Sequence, residues 1–245
     1  GTGFLVCGFL PRLDAMGQQS PPSPCGGLLW YEQTASGWQR NDIVVPTSTL
    51  FYHKPIIVDF DGDGILDIVA VGEERPPEGS AGDRAVAQWF KGTAGPERFE
   101  SMAREIGVGM GSLPTVLDID GDGDLDVASA EFFAGLGGSF AWYERVGEPS
   151  LAFPAGRFVR HLIDGDVGPS IQLSFIENLL GDGQLVAVGS VHTNTIKMSP
   201  DPWESAVYLY TIPSDPRAPW LRRKISENIV SIPVNNQAAP GIFGS

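Results

Sequence analysis

Cysteine, histidine and basic residues are scarce in this 245-residue chain, which has two Cys, three His and 16 Lys plus Arg against 30 Asp plus Glu. Two cysteines make no disulfide framework. Cys7 and Cys25 can form one bridge in an oxidising compartment or remain two free thiols. His53, His161 and His192 fall on or beside different predicted strands, and the sequence holds neither a G-x-S-x-G elbow nor an H-E-x-x-H motif. Hydrolase constellations are therefore thin, and each histidine reads first as a hydrogen-bonded structural residue. A net charge of −14 with no basic stripe argues against nucleic acid or an anionic membrane surface as partner. Long apolar runs are missing too. The run Gly3–Leu10 falls far short of the roughly 20 residues of a spanning helix, so membrane insertion is not expected. That run also has no basic leader and no small-residue cleavage site, so it does not read as a signal peptide.

Glycine and proline are abundant, at 31 and 20 residues, which suits many short strands joined by turns. The chain is 42% hydrophobic and can build a core, as one large β domain or two smaller ones.

The acidic residues concentrate in two places. Asp59-Phe60-Asp61-Gly62-Asp63-Gly64-Ile65-Leu66-Asp67 reads D-x-D-x-D-G-x-x-D, and Asp118-Ile119-Asp120-Gly121-Asp122-Gly123-Asp124-Leu125-Asp126 repeats it. Carboxylates so crowded repel one another, and a hard cation relieves this because Ca²⁺ takes six to eight oxygens at about 2.3–2.6 Å. Alternate Asp side chains point inward, a Gly at the sixth position permits the sharp turn, and the carbonyls of Ile65 and Asp124 complete the shell. An acidic surface turn explains one such stretch less well than two in the same register. An EF-hand fails, because its twelfth-position Glu is replaced by Ala70 and Ser129. The flanks Pro55–Val58 and Ile68–Val71 are β-branched runs and not helices, which places the loops in β-hairpins. Two Ca²⁺ would move the net charge from −14 to −10.

Around these loops the chain repeats. The second unit is expected to place strands at Asp67–Gly72, Ala85–Phe90 and Phe99–Ile106, and the third at Asp126–Ala130, Ser139–Tyr143 and Phe158–Ile163. The first unit offers Phe4–Cys7, Leu28–Tyr31 and Trp38–Val45 without a preceding acidic loop. The fourth offers Ile171–Ile176, Leu185–Val188, Ala206–Tyr210 and Trp220–Ile225. Its turn, Asn178-Leu179-Leu180-Gly181-Asp182-Gly183, keeps Gly-Asp-Gly but puts Leu180 where Asp120 stands, so no calcium or only a weak site is expected there. The units span about 1–50, 51–110, 111–167 and 168–232 as one domain, and 238–245 looks like the opening strand of another unit. Pairing of 238–245 with Phe4–Leu10 would close a ring of four-stranded blades without an exposed edge. A stretch of a larger propeller is the competing reading.

The two loops and the strand–aromatic–strand pattern after them resemble the FG-GAP/VCBS repeat family of calcium-binding β-propellers, and the resemblance covers essentially the whole chain. It implies an all-β propeller of four-stranded antiparallel blades with two Ca²⁺ sites. One would use Asp59, Asp61, Asp63, Asp67 and the Ile65 carbonyl, the other Asp118, Asp120, Asp122, Asp126 and the Asp124 carbonyl. The first and fourth units depart from the family pattern. The implied role is a secreted or cell-surface binding module for glycan or extracellular protein. A propeller domain of a polysaccharide-active enzyme such as a lyase, or a purely structural module, is the alternative. Trp30, Trp89 and Trp142 sit at one repeat position and read as packing between blades, whereas Trp203 and His192–Thr195 are loop candidates for ligand contact.

Overall fold

The computed structural model describes residues 3–7, 26–48, 50–74, 84–111, 113–131, 139–167, 170–191, 206–226, 232–234 and 237–239. These form seventeen strands in five antiparallel sheets and no helix among the described residues.

The first sheet joins β1 (Gly3–Cys7), β2 (Gly26–Thr34) and β3 (Gly37–Ser48) in that order. The second joins β4 (Phe51–Val58), β5 (Asp67–Glu74), β6 (Arg84–Phe90) and β7 (Arg104–Val108). The third joins β8 (Thr115–Leu117), β9 (Asp126–Ala130), β10 (Phe140–Gly147) and β11 (Arg157–Asp164). The fourth joins β12 (Ser170–Glu177), β13 (Leu185–Val191), β14 (Ala206–Thr211) and β15 (Leu221–Lys224). Each is a meander of neighbouring strands, the cheapest topology for runs separated by short turns. The short pair β16 (Ile232–Val234) and β17 (Gln237–Ala239) forms the fifth.

Alternation along the strands explains how the sheets associate. In β5, Ile68 and Ala70 face a cluster with Leu28, Trp30 and Ile43 of the first sheet. Val69 and Val71 face the opposite way, into a cluster with Val127, Ala141 and Tyr143 of the third sheet. In β10 the same switch sends Phe140 and Trp142 toward Leu173, Ala187 and Tyr210 of the fourth sheet. The sheets therefore pack face to face in chain order, and the two middle ones are buried on both sides. This is why their central strands, β5 as far as Gly72 and β9, are buried along their length and do not alternate apolar with polar.

The repeated tryptophans behave as the sequence suggests. Trp30, Trp89 and Trp142 each face the following sheet, and their neighbours Phe90 and Tyr143 face the preceding one. A buried aromatic removes about 150–250 Å² from water, so each contributes a few kcal/mol to a seam, at roughly 25 cal/mol per Å². The strand β8 and the segment before it also meet β12 side by side, through a parallel bridge from Leu113 to Gln172 and a hydrogen bond from the Thr115 hydroxyl to the Leu173 carbonyl at 3.0 Å.

The expected pairing of 238–245 with Phe4–Leu10 is not shown among the described residues. β17 contains Ala238 and Ala239 and pairs with β16, while 240–245 lie outside the described residues. β1 pairs with β2. Cys25 and Trp203 also lie outside them, as do residues 192–195. Phe99, expected to open a strand, instead makes an isolated bridge to Gly92, and β7 begins at Arg104.

Candidate metal centre

The acidic loops connect the first two strands of the second and third sheets, Asp59–Leu66 between β4 and β5, and Asp118–Leu125 between β8 and β9. Their backbones are the same. Gly62 and Gly64 have φ of 73° and 86°, Gly121 and Gly123 of 78° and 99°, a left-handed region where a Cβ is strained. The first Asp of each loop accepts from the N–H of the sixth residue, Gly64 to Asp59 at 2.9 Å and Gly123 to Asp118 at 3.0 Å. The fifth accepts from the seventh, Ile65 to Asp63 at 2.8 Å and Asp124 to Asp122 at 3.0 Å.

The fourth sheet carries the same turn with Asp182 as its one acid. Gly181 and Gly183 have φ of 78° and 76°, Asn178 accepts from Gly183 N–H at 2.8 Å, and Asp182 accepts from Gln184 N–H at 3.0 Å. Short polar side chains bonding their own backbone thus suffice to shape the turn. The additional carboxylates at positions three and nine, absent in Leu180 and Val186, are not needed to shape the turn.

Those carboxylates converge. Oxygens of Asp59, Asp61 and Asp67 lie within 4.8 Å of one another, as do those of Asp118, Asp120 and Asp126. The last Asp of each set is fully buried. Asp67 is held by the N–H groups of Phe60 at 3.0 Å and Gly92 at 2.5 Å, and Asp126 by those of Ile119 and Arg145, both at 2.9 Å. Asp63 and Asp122 stand outside the two triads and turn toward their own loop backbone.

The electrostatics are those of a site short of positive charge. Burial, opposed by its two N–H bonds, pushes the Asp126 carboxyl up to about 7, and nearby Asp120 and Asp124 add to the rise. Burial and the Asp122 charge raise Asp124 to about 6. Asp67 is also raised, first by burial. In the first loop the buried Oδ1 atoms of Asp59 and Asp61 have no hydrogen-bond partner, and in the second the same is true of Asp124 Oδ1. Buried polar atoms are ordinarily paired, so these orphaned acceptors fit a hard cation seated among them.

Each loop is seated against the following sheet. Phe60 packs edge-on against Trp89, with ring centroids 5.6 Å apart, and stacks on Phe158 of the third sheet. Arg145 of the third sheet lies 5.3 Å over the Phe60 ring and donates to the Phe60 carbonyl at 2.7 Å. Ile119 fills the same position between the third and fourth sheets, and Arg217 of the fourth reaches back to Asp120 at 2.5 Å.

Four residues of these loops' surroundings escape a reading of the acidic motif alone. Lys91 donates to both Asp61 and Asp63, the latter at 2.7 Å. Arg217 also bonds Glu144, which in turn bonds His161 at 2.5 Å. The Arg217 and His161 bonds hold Glu144 below its ordinary pKa although burial opposes them. Lys91 and Glu144 follow the paired aromatics Trp89-Phe90 and Trp142-Tyr143, so an alignment of repeats could have flagged them. Arg145 and Arg217 come from the next sheet and leave no such signal.

Among the described residues, His53 and His161 do not assemble. His53 lies 3.4 Å from Glu73 in the second sheet, and His161 stacks on Trp142 in the third. A cleft of about 370 Å³ is lined by Trp30, Arg40, Asn41 and Asp42 of the first sheet and by Glu97, Phe99 and Ser101 between β6 and β7 of the second. No protein-family model, curated protein or solved structure matches this chain.

Proposed function

We propose that the chain is a calcium-stapled β-propeller of the FG-GAP/VCBS type, acting outside the cell as a binding module for glycan or protein. The carrying observation is the pair of Asp triads at equivalent turns of adjacent sheets, with buried oxygens of Asp59 and Asp61 left unpaired in the first. Face-to-face succession of four-stranded sheets and side-by-side β8 and β12 support the propeller. Asp59, Asp61 and Asp67 would hold one ion and Asp118, Asp120 and Asp126 the other, with Asp63 and Asp122 and the carbonyls of Ile65 and Asp124 as further oxygens. The ion supplies positive charge that lets buried carboxylates ionise. The protein's part is to orient those carboxylates through backbone N–H groups and to seat each loop against the next sheet.

Calcium in extracellular modules binds at about 10⁻⁴–10⁻³ M, a range met outside cells. For ligand binding, the cleft lined by Trp30, Phe99, Arg40, Asn41 and Asp42 combines aromatic rings with polar groups, a chemistry that suits a saccharide. Thermal unfolding with and without chelator tests the staple. Free calcium at a hundredfold its Kd should add about 2.7 kcal/mol per site. An identical melt in the two buffers would refute it. A glycan array run in calcium tests the ligand class, and release of ultraviolet-absorbing product from acidic polysaccharide would favour a lyase.

A further inference from the structure

The two acidic loops differ in the cation each already contains. In the second sheet Ile68 pairs with Phe90, and in the third Val127 pairs with Tyr143. The next two residues also correspond, because the N–H groups of Gly92 and Arg145 both donate to the last Asp of the loop. Lys91 and Glu144 therefore occupy one structural position with opposite charges. We propose that the loops bind calcium unequally, the second filling first, and that the Lys91 ammonium sets the gap. This rests on the calcium reading above.

Lys91 makes its ion pairs with Asp61 and Asp63, two acids of the loop itself, and is only 22% exposed. A dication entering between Asp59, Asp61 and Asp67 meets that ammonium on the far oxygen of Asp61. If Lys91 stays, like charges oppose each other within one carboxylate's width. If it leaves, two charge-assisted bonds are lost. Either course weakens binding.

In the second loop the cation is a borrowed one. Arg217 bonds Asp120 but also holds Glu144 and lies 3.5 Å from Asp215. Drawing Asp120 toward an ion leaves Arg217 its bonds to Glu144. The charges point the same way. The first loop has four Asp and one Lys, net −3, while the second has five Asp, Glu144 and Arg217, net −5. Arg145 bonds the Phe60 carbonyl of the first loop and acts electrostatically on Asp124 of the second, so it does not separate them.

Titration calorimetry of the full chain with calcium chloride should resolve a tight and a weak site. Asp120→Asn should abolish the tight site and Asp61→Asn the weak one. Lys91→Met, which keeps an apolar stem beside Trp89, should tighten the weak site at least tenfold, about 1.4 kcal/mol. Lys91→Arg should leave it weak. Glu144→Gln, which does not touch Lys91, should loosen the tight site and spare the weak one, which keeps the test decisive if Lys91→Met fails to fold. Two equal sites in the wild-type chain, or folded Lys91→Met and Glu144→Gln chains with unchanged affinities, would overturn the inference while leaving calcium binding intact. No calcium heat in any of these chains would overturn the calcium reading and this inference with it.

Discussion

The second residue of each repeated loop offers a direct test of how the sheets are joined. Phe60 is 1% exposed, Ile119 is 7% exposed and Leu179 is 46% exposed. The turn geometry is shared by all three, and among the described residues a following sheet receives only the Phe60 and Ile119 side chains. Truncating Phe60 to Ala removes a ring whose burial is worth roughly 4–6 kcal/mol by area, from about 150–250 Å². The edge contact with Trp89 and the stack on Phe158 go with it. Arg145 keeps its bond to the Phe60 carbonyl, which is backbone, so the loop is not wholly released. Partial collapse of the seam brings the expected loss to about 4 kcal/mol. Ile119→Ala should cost about 2–4 kcal/mol by the same reasoning. Leu179→Ala should stay within about 0.5 kcal/mol. Urea unfolding at saturating calcium, followed by tryptophan fluorescence, gives all three from midpoints at constant slope. A Leu179→Ala penalty equal to that of Ile119→Ala would refute the seating argument, as would a Phe60→Ala penalty under about 1 kcal/mol.

Three further outcomes are expected. Arg160→Met should cost about 3–5 kcal/mol, because it strips the guanidinium bonded at 2.7 and 2.5 Å from the fully buried Glu131. Adding Glu131→Gln should recover much of that in a double-mutant cycle, and additive losses would show the pair is not coupled. Gly92→Ala should abolish calcium binding at the first loop only, since its Cβ would stand 2.2 Å from the Leu66 carbonyl oxygen and force the loop to move; calorimetry showing both sites intact would contradict this. The raised Asp126, near 7, favours the metal-free fold at low pH, and this contribution is lost as pH climbs from the unfolded value of 3.8 through 7. Chelated protein should therefore melt lower at pH 8 than at pH 5, and calcium, which needs the ionised carboxylate, should raise Tm more at pH 8. The lowered Asp63 and Glu144 act below about pH 4.5, where their stabilisation is lost on acidification, outside this window. A calcium-induced rise in Tm that shrinks between pH 5 and 8 would contradict the assignment of Asp126 as a ligand.

Local chemistry alone determined a good deal of this protein. β-Branched and aromatic runs broken by Gly, Pro and Asp specify short strands, and the observed β9 is the expected Asp126–Ala130. The loop shape is equally local, since Asn178 and Asp182 reproduce it with hydrogen bonds spanning at most five residues. That shape brings the carboxylates at positions one and three together, while the Asp at position nine is also held by Gly92 or Arg145 from the neighbouring strand. What only the tertiary structure decided is the company those carboxylates keep. Lys91 reaches the first loop because β6 pairs with β5, and Arg145 and Arg217 reach the loops of preceding sheets because sheets pack face to face. Their separations from the groups they hold, 85 residues from Arg145 to Phe60 and 97 from Arg217 to Asp120, put them beyond any periodicity of strand or turn. A nine-residue motif can state how many negative charges a turn brings together. Which positive charges answer them depends on distant strands brought close by packing.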